Sequence, residues 1–296
     1  MSDTTQDFND KTRLGKIIAE FSRSDAGKRL LSFAQDMEIT VEFDPEMPKN
    51  IMGIYNNNGF VLLSPTISDA VALGTLSHEL HHAEQETKGV KLQSFRTKEG
   101  GGEIFPIHDP VTHFYLRRLE EAGAFAFQID FAREHALATR DTGPASFLKN
   151  VHPEVFDAYI NTLRDHNNDR ALARHAAFTA FIDKADCYDA DTLSGLKDML
   201  ANCRKMIKSG SAELRAFLQE KRDVALTPET IVKFGEMEDG SNFLAGRPDH
   251  EFLSEKYLGR TTPAIQAELK ALDLEFKSFF GGLSIQPVAK KESPKP

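Results

Sequence analysis

Cysteine is scarce in this chain. Cys187 and Cys203 are the only two in 296 residues, and they lack a C-x-x-C spacing, so neither a disulfide framework nor a cysteine-built metal site is expected. Long apolar runs are missing too: no uninterrupted stretch approaches the roughly 18 residues of a membrane span. Basic runs are short, Lys290-Lys291 being typical, and with a net charge of -9 this argues against broad nucleic-acid affinity. No fixed period joins the segments, which excludes a repeat solenoid. The first residues, Met1 to Asp7, are acidic and polar rather than a secretory signal, so the expected compartment is the cytoplasm.

What is present is an ordinary globular composition, 40% hydrophobic, organised around one segment. Thr75 to Gln85 contains His78-Glu79-Leu80-His81-His82, a complete H-E-x-x-H. On a helix, residues four apart stand one turn above each other, so His78 and His82 can close on one metal ion. Glu79 is turned about 100° away, where its carboxylate can reach a metal-activated water without being a ligand itself. His81 is also near that side, but a His78/His81 pair would leave Glu79 and His82 without roles; it reads as a supporting or packing residue. Gln85, one turn after His82, is placed to hydrogen-bond near the site, but an ordinary polar helix residue is the preferred reading.

The flanking pattern supplies context. Ile39 to Phe43 alternates as a half-buried strand, Ile51, Gly53 and Tyr55 begin a second, and Asn56 to Gly59 reads as a hairpin turn into an apolar strand, Phe60 to Leu63. Ser68-Asp69 offers the cap of the histidine helix. If Phe60 to Leu63 is an exposed edge beside that helix, an extended peptide can pair with it through main-chain hydrogen bonds. Gly74, one turn before His78, leaves room for substrate or for a neighbouring helix.

This strand-then-helix order resembles the zincin metallopeptidases, over residues 38 to 135. The metzincin continuation, with Gly at 85 and His at 88, is absent, since Gln85 and Lys88 stand there. The gluzincin pattern instead takes its third ligand from a later helix, and Glu120-Glu121-Ala122-Gly123-Ala124 looks like its Glu-x-x-Ala signature, with Glu121 in register and Glu120 as the competitor. The resemblance implies one Zn2+ per chain held by His78, His82 and Glu121, Glu79 as general base, and a peptide or protein substrate. His108, Asp109 and His113 precede the glutamate helix and are candidates to stabilise an oxyanion, against the commoner structural role of such residues.

The fold class expected is α+β and predominantly helical, with a small N-terminal sheet, a zincin-like core and a helical C-terminal part. Residues 11–142 would form the core and 143–283 the helical region, with a composition shift near Gly143 and tails at 1–10 and 284–296. Helices are predicted over Phe147 to Arg164, Asp169 to Ala185, Thr192 to Lys208, Ser211 to Arg222, from Thr227-Pro228, and over Pro263 to Phe280. Two alternatives to an enzyme stand beside this reading. One is a zincin-derived regulatory or binding protein that keeps its metal, and the other a helical interaction module with a chance motif.

Overall fold

The computed structural model describes residues 11–56, 59–88, 94–96, 104–106, 109–184, 186–209, 228–246 and 262–280. The expected helix at Ser211 to Arg222, His108 and both tails lie outside them. The fold is α+β and predominantly helical, as the patterning predicts. No helix among the described residues is long and apolar enough to cross a membrane.

The chain divides into two compact units. The first comprises Met1–Lys91, Arg118–Ala185 and Thr227–His250, and the second Leu92–Arg117, Asp186–Leu226 and Glu251–Pro296. Gly143, where the composition shifts, lies inside the first unit.

In the first unit, α1 (Lys11–Phe21) and α2 (Asp25–Asp36) are separated by a turn at Ser22 to Ser24. Ser24 caps α2 by accepting the Gly27 N–H, so the break falls before Gly27, which itself lies inside the helix. Strands β1 (Thr40–Phe43), β2 (Gly53–Asn56) and β3 (Phe60–Leu63) follow, then α3 (Asp69–Thr87), capped by the Ser68 side chain. Gly59 turns the β2–β3 hairpin at φ 82°, a left-handed conformation that glycine adopts without strain.

The sheet order is β1-β3-β2, which corrects the expectation that β3 is the edge. β3 pairs parallel with β1 and antiparallel with β2, so both its sides are taken. Val61 and Leu63 are fully buried, consistent with a central strand. The edge that meets α3 is β2: a Cβ added at Gly53 would sit 2.4 Å from Thr75 Cγ2 and 3.1 Å from Glu79 Cγ. Only the smallest residue lets the strand lie this close to the histidine helix.

From Ala72 to His81 every residue of α3 is buried, because it runs between the sheet, α1 and α2 on one side and α4 (Pro110–Thr139) on another. Ile17, Phe21, Leu30, Val61, Leu63, Leu73, Leu76, Leu80, Phe127 and Phe131 form one apolar core around it. Gly74 makes room for α4, since its missing Cβ would lie 3.2 Å from Gln128 Nε2.

The predicted helix from Phe147 to Arg164 is two helices, α5 (Gly143–Val151) and α6 (Pro153–Asp165). Pro153 lacks an N–H and cannot continue a helix, but fits the first turn of the next. α7 (Arg170–Asp183), capped by Asp169, and α9 (Pro228–Phe234) complete the unit, and α6 packs extensively on α7. Beneath them Asp130 accepts from Tyr159 Oη, from Arg170 Nη2 at 2.6 Å and from Arg174 Nε at 2.7 Å. Burial opposes ionisation of Asp130, yet the two guanidiniums and the phenol outweigh it and bring the carboxyl down to about 2.

In the second unit, β4 (Ser94–Arg96) pairs antiparallel with β5 (Ile104–Pro106). α8 (Asp186–Ser209) and α10 (Pro263–Phe280) contribute Leu193, Leu196, Leu200, Leu269 and Leu272 to a small core with Phe114 and Tyr115 from the start of α4.

Candidate metal centre

Helical spacing on α3 places His78 and His82 on one side, and α4 brings Glu121 to meet them. One ligand atom from each of the three lies within 4.8 Å of the others. His78 Nε2 is 3.1 Å from His82 Nε2 and 3.2 Å from Glu121 Oε2, while His82 Nε2 is 3.6 Å from Glu121 Oε1. A tetrahedral zinc ion with bonds of about 2.0–2.1 Å holds its donor atoms roughly 3.3 Å apart. The donor set and its spacing therefore fit one face of a zinc coordination sphere.

The neighbours fix which nitrogen of His82 is available. Gln85 Oε1 lies 2.9 Å from His82 Nδ1, and Gln85 Nε2 donates to the Glu120 carbonyl at 3.0 Å. Only one orientation of the amide satisfies both contacts, so Gln85 accepts from Nδ1–H and leaves the Nε2 lone pair facing the site. Gly123 makes this possible, because a Cβ there would stand 2.7 Å from Gln85 Nε2. The reading of Gln85 as an ordinary polar residue is thus overturned: it is 3% exposed and orients the His82 ring.

Glu79 is held from the sheet side. Its Oε2 accepts the backbone N–H of Tyr55 at 2.8 Å, which ties the carboxylate to the β2 edge. Tyr55 is held in turn by a hydrogen bond from its side chain to Glu86, and burial, reinforced by Glu86, raises its phenol pKa well above the ordinary value.

His81 turns away from the ligand cluster. Its ring stacks on Phe127 with centroids 4.4 Å apart, and its Nδ1 meets Glu84 Oε2 at 3.1 Å. Burial lowers its pKa to about 4 although Glu84 opposes this, so the ring is neutral at pH 7. Glu84 also pairs with Arg29; despite burial, His81 and Arg29 together bring its carboxyl down to about 2. The packing role expected for His81 is what the contacts give.

Glu120 is buried, and its backbone carbonyl accepts from Gln85 Nε2. Asp109 accepts from the Thr112 N–H at 2.9 Å and from its hydroxyl at 2.7 Å, which makes it the cap of α4. His113 is buried within the second unit, and His108 is outside the described residues.

His152, at the α5–α6 junction, was not singled out by motif. Its ring packs edge-on against Phe125 at 4.5 Å, and Phe125 packs in the same way against His78 at 4.7 Å. Burial lowers the His152 pKa, and the charge of His78 lowers it further. The sequence signal was only a histidine before a helix-starting proline, which marks a junction rather than a site.

No family model, curated protein or solved structure matches this chain.

Proposed function

We propose that the chain is a zinc-dependent peptidase of gluzincin type, acting in the cytoplasm on peptides or proteins. The observation that carries this reading is the convergence of His78, His82 and Glu121 at zinc-like donor spacing, with Glu79 beside them but outside the ligand set. A closed structural site has no use for such a carboxylate. Two imidazoles and one carboxylate match the open, catalytic kind of zinc centre. The low cysteine content suits a reducing compartment.

Zinc held there would supply Lewis acidity, which brings the pKa of water towards roughly 7. Glu79 then takes a proton from water and later delivers it to the leaving amine. The β2 edge lies against Glu79, and it replaces β3 as the strand on which an extended peptide would pair. The Tyr55 N–H, which Glu79 now accepts, is the edge donor nearest that chemistry, so a peptide carbonyl arriving there competes with Glu79 for it. His152, brought towards the ligands through Phe125, is the candidate to donate to the oxyanion.

Glu79→Gln tests the assignment. The amide keeps size and a hydrogen-bonding head but cannot accept the proton, so zinc content and folding should stay at wild-type levels while peptide hydrolysis falls by roughly 10²-fold to 10⁴-fold. Zinc-dependent hydrolysis at an unchanged rate would refute the mechanism. A metal-loaded wild type that cleaves nothing across a broad peptide library would favour a regulatory, metal-keeping protein.

A further inference from the structure

Away from the ligands of α3 and α4 described above, the first unit holds a second convergence of metal-ligating atoms. Glu20 lies near the end of α1, His135 near the end of α4, and Asp141 in the connection from α4 to α5. One ligand atom from each lies within 4.8 Å of the other two. His135 Nε2 is 3.5 Å from Glu20 Oε1 and 3.8 Å from Asp141 Oδ2.

The independent observation is His135 itself. Its side chain is 0% exposed, and neither ring nitrogen makes a hydrogen bond of good geometry among the described residues, the nearest acceptors to Nε2 standing off at 3.5 and 3.8 Å. Buried polar atoms are rarely left in that state without a functional reason. Phe131 stacks against the ring at 5.8 Å, and Nε2 is aimed at the two carboxylates.

The carboxylates are arranged to receive a cation. Asp141 uses Oδ1 to accept the Gly143 N–H at 2.8 Å, which leaves Oδ2 on the imidazole side. Its side chain is 44% exposed and that of Glu20 32%, so an ion can enter from solvent. Arg23 grips Glu20 at 2.9 and 3.0 Å and competes for that carboxylate, but an exposed pair three residues apart on the surface is weak enough to yield.

We propose that Glu20, His135 and Asp141 form a second divalent-metal site, separate from the peptidase centre, which takes a first-row transition ion such as Zn2+. One imidazole and two carboxylates favour that class over the all-oxygen surroundings of calcium or magnesium. The rival reading is a protonated histidine clamped between two acids. That rival binds no ion, so the zinc count decides between the two. The ion would tie α1 to the end of α4 and to the connection that starts α5.

The test uses the full chain, stripped with a chelator and titrated with Zn2+ alone, with bound metal counted after desalting. Asp141→Asn keeps the Oδ1 acceptor for Gly143, and Glu20→Gln alters a partly exposed side chain, so neither should disturb folding. Each is expected to lower the zinc count by one per chain, or to weaken that ion by at least about tenfold. In His78→Ala, which removes a ligand of the first centre, the Asp141-dependent ion should persist. A zinc count and affinity equal to wild type in both carboxylate variants overturns the site, whatever the first centre binds.

Discussion

Gln85→Met offers a quantitative probe of the metal centre, because it removes one side chain that touches no substrate. Methionine preserves length and apolar bulk beside Gly123 but loses both hydrogen bonds, to His82 Nδ1 and to the Glu120 carbonyl. Loss of the partner that orients a metal-binding histidine typically weakens metal affinity by about 10- to 100-fold, or about 1.4–2.8 kcal/mol. The His82 Nδ1–H also loses the acceptor that Gln85 provides, at a cost of about 1–3 kcal/mol. The two effects separate experimentally. Zinc affinity is read by competition with a chromophoric chelator, and apo-protein stability by denaturant unfolding with excess chelator present. The expected result is weaker zinc binding together with a destabilised apo-protein. Zinc affinity equal to wild type, in a variant that remains folded, would refute the claim that Gln85 sets the His82 tautomer.

Gly53→Ala places a methyl group against Thr75 and Glu79, so β2 should move off α3 at a cost of about 1–3 kcal/mol, and peptide turnover should fall. Wild-type turnover and melting temperature would show that the strand needs no such closeness. Asp130→Asn removes one of the two carboxylates paired with Arg174, 2% exposed, and leaves only Glu238 at 3.0 Å, so it should destabilise the fold by about 1.5–3 kcal/mol at neutral pH. Because the Asp130 pKa is held at about 2 against an ordinary 3.8, its contribution is fully present above about pH 4 and is lost as pH falls through 2. The difference between wild type and variant, measured by denaturant unfolding, should therefore shrink in that window; a constant difference would mean that the carboxylate charge is not what matters.

The parts of this molecule legible in the sequence are those set by local rules. His78 and His82 follow from helical periodicity, Ser68 from capping, and the Asn56–Gly59 hairpin from turn chemistry. Glu121 was reachable through the resemblance of its run to a Glu-x-x-Ala pattern, which left Glu120 as a competitor; helical spacing did not choose between them, and the contacts bring Glu121 oxygens to His78 and His82. The strand order was not legible. β1 and β3 pair in parallel across an intervening strand, a non-local choice that alternation along one strand does not encode. Gln85 was set aside as ordinary and Gly123 was passed over for the same reason: their fit is a contact between helices, and neither position is unusual on its own helix. His135 meets Glu20 across 115 positions of sequence, so no spacing rule could have joined them.

The most direct test of the central claim compares Glu121→Gln with Glu120→Gln for zinc bound at the α3–α4 centre, measured by metal analysis and chelator competition on protein purified without added metal. Glu121 carries the oxygens facing both histidines, whereas Glu120 reaches the site through its backbone carbonyl. The account predicts that Glu121→Gln loses that ion or binds it far more weakly, while Glu120→Gln retains it at wild-type affinity. Retention in Glu121→Gln, or loss in Glu120→Gln alone, would contradict it.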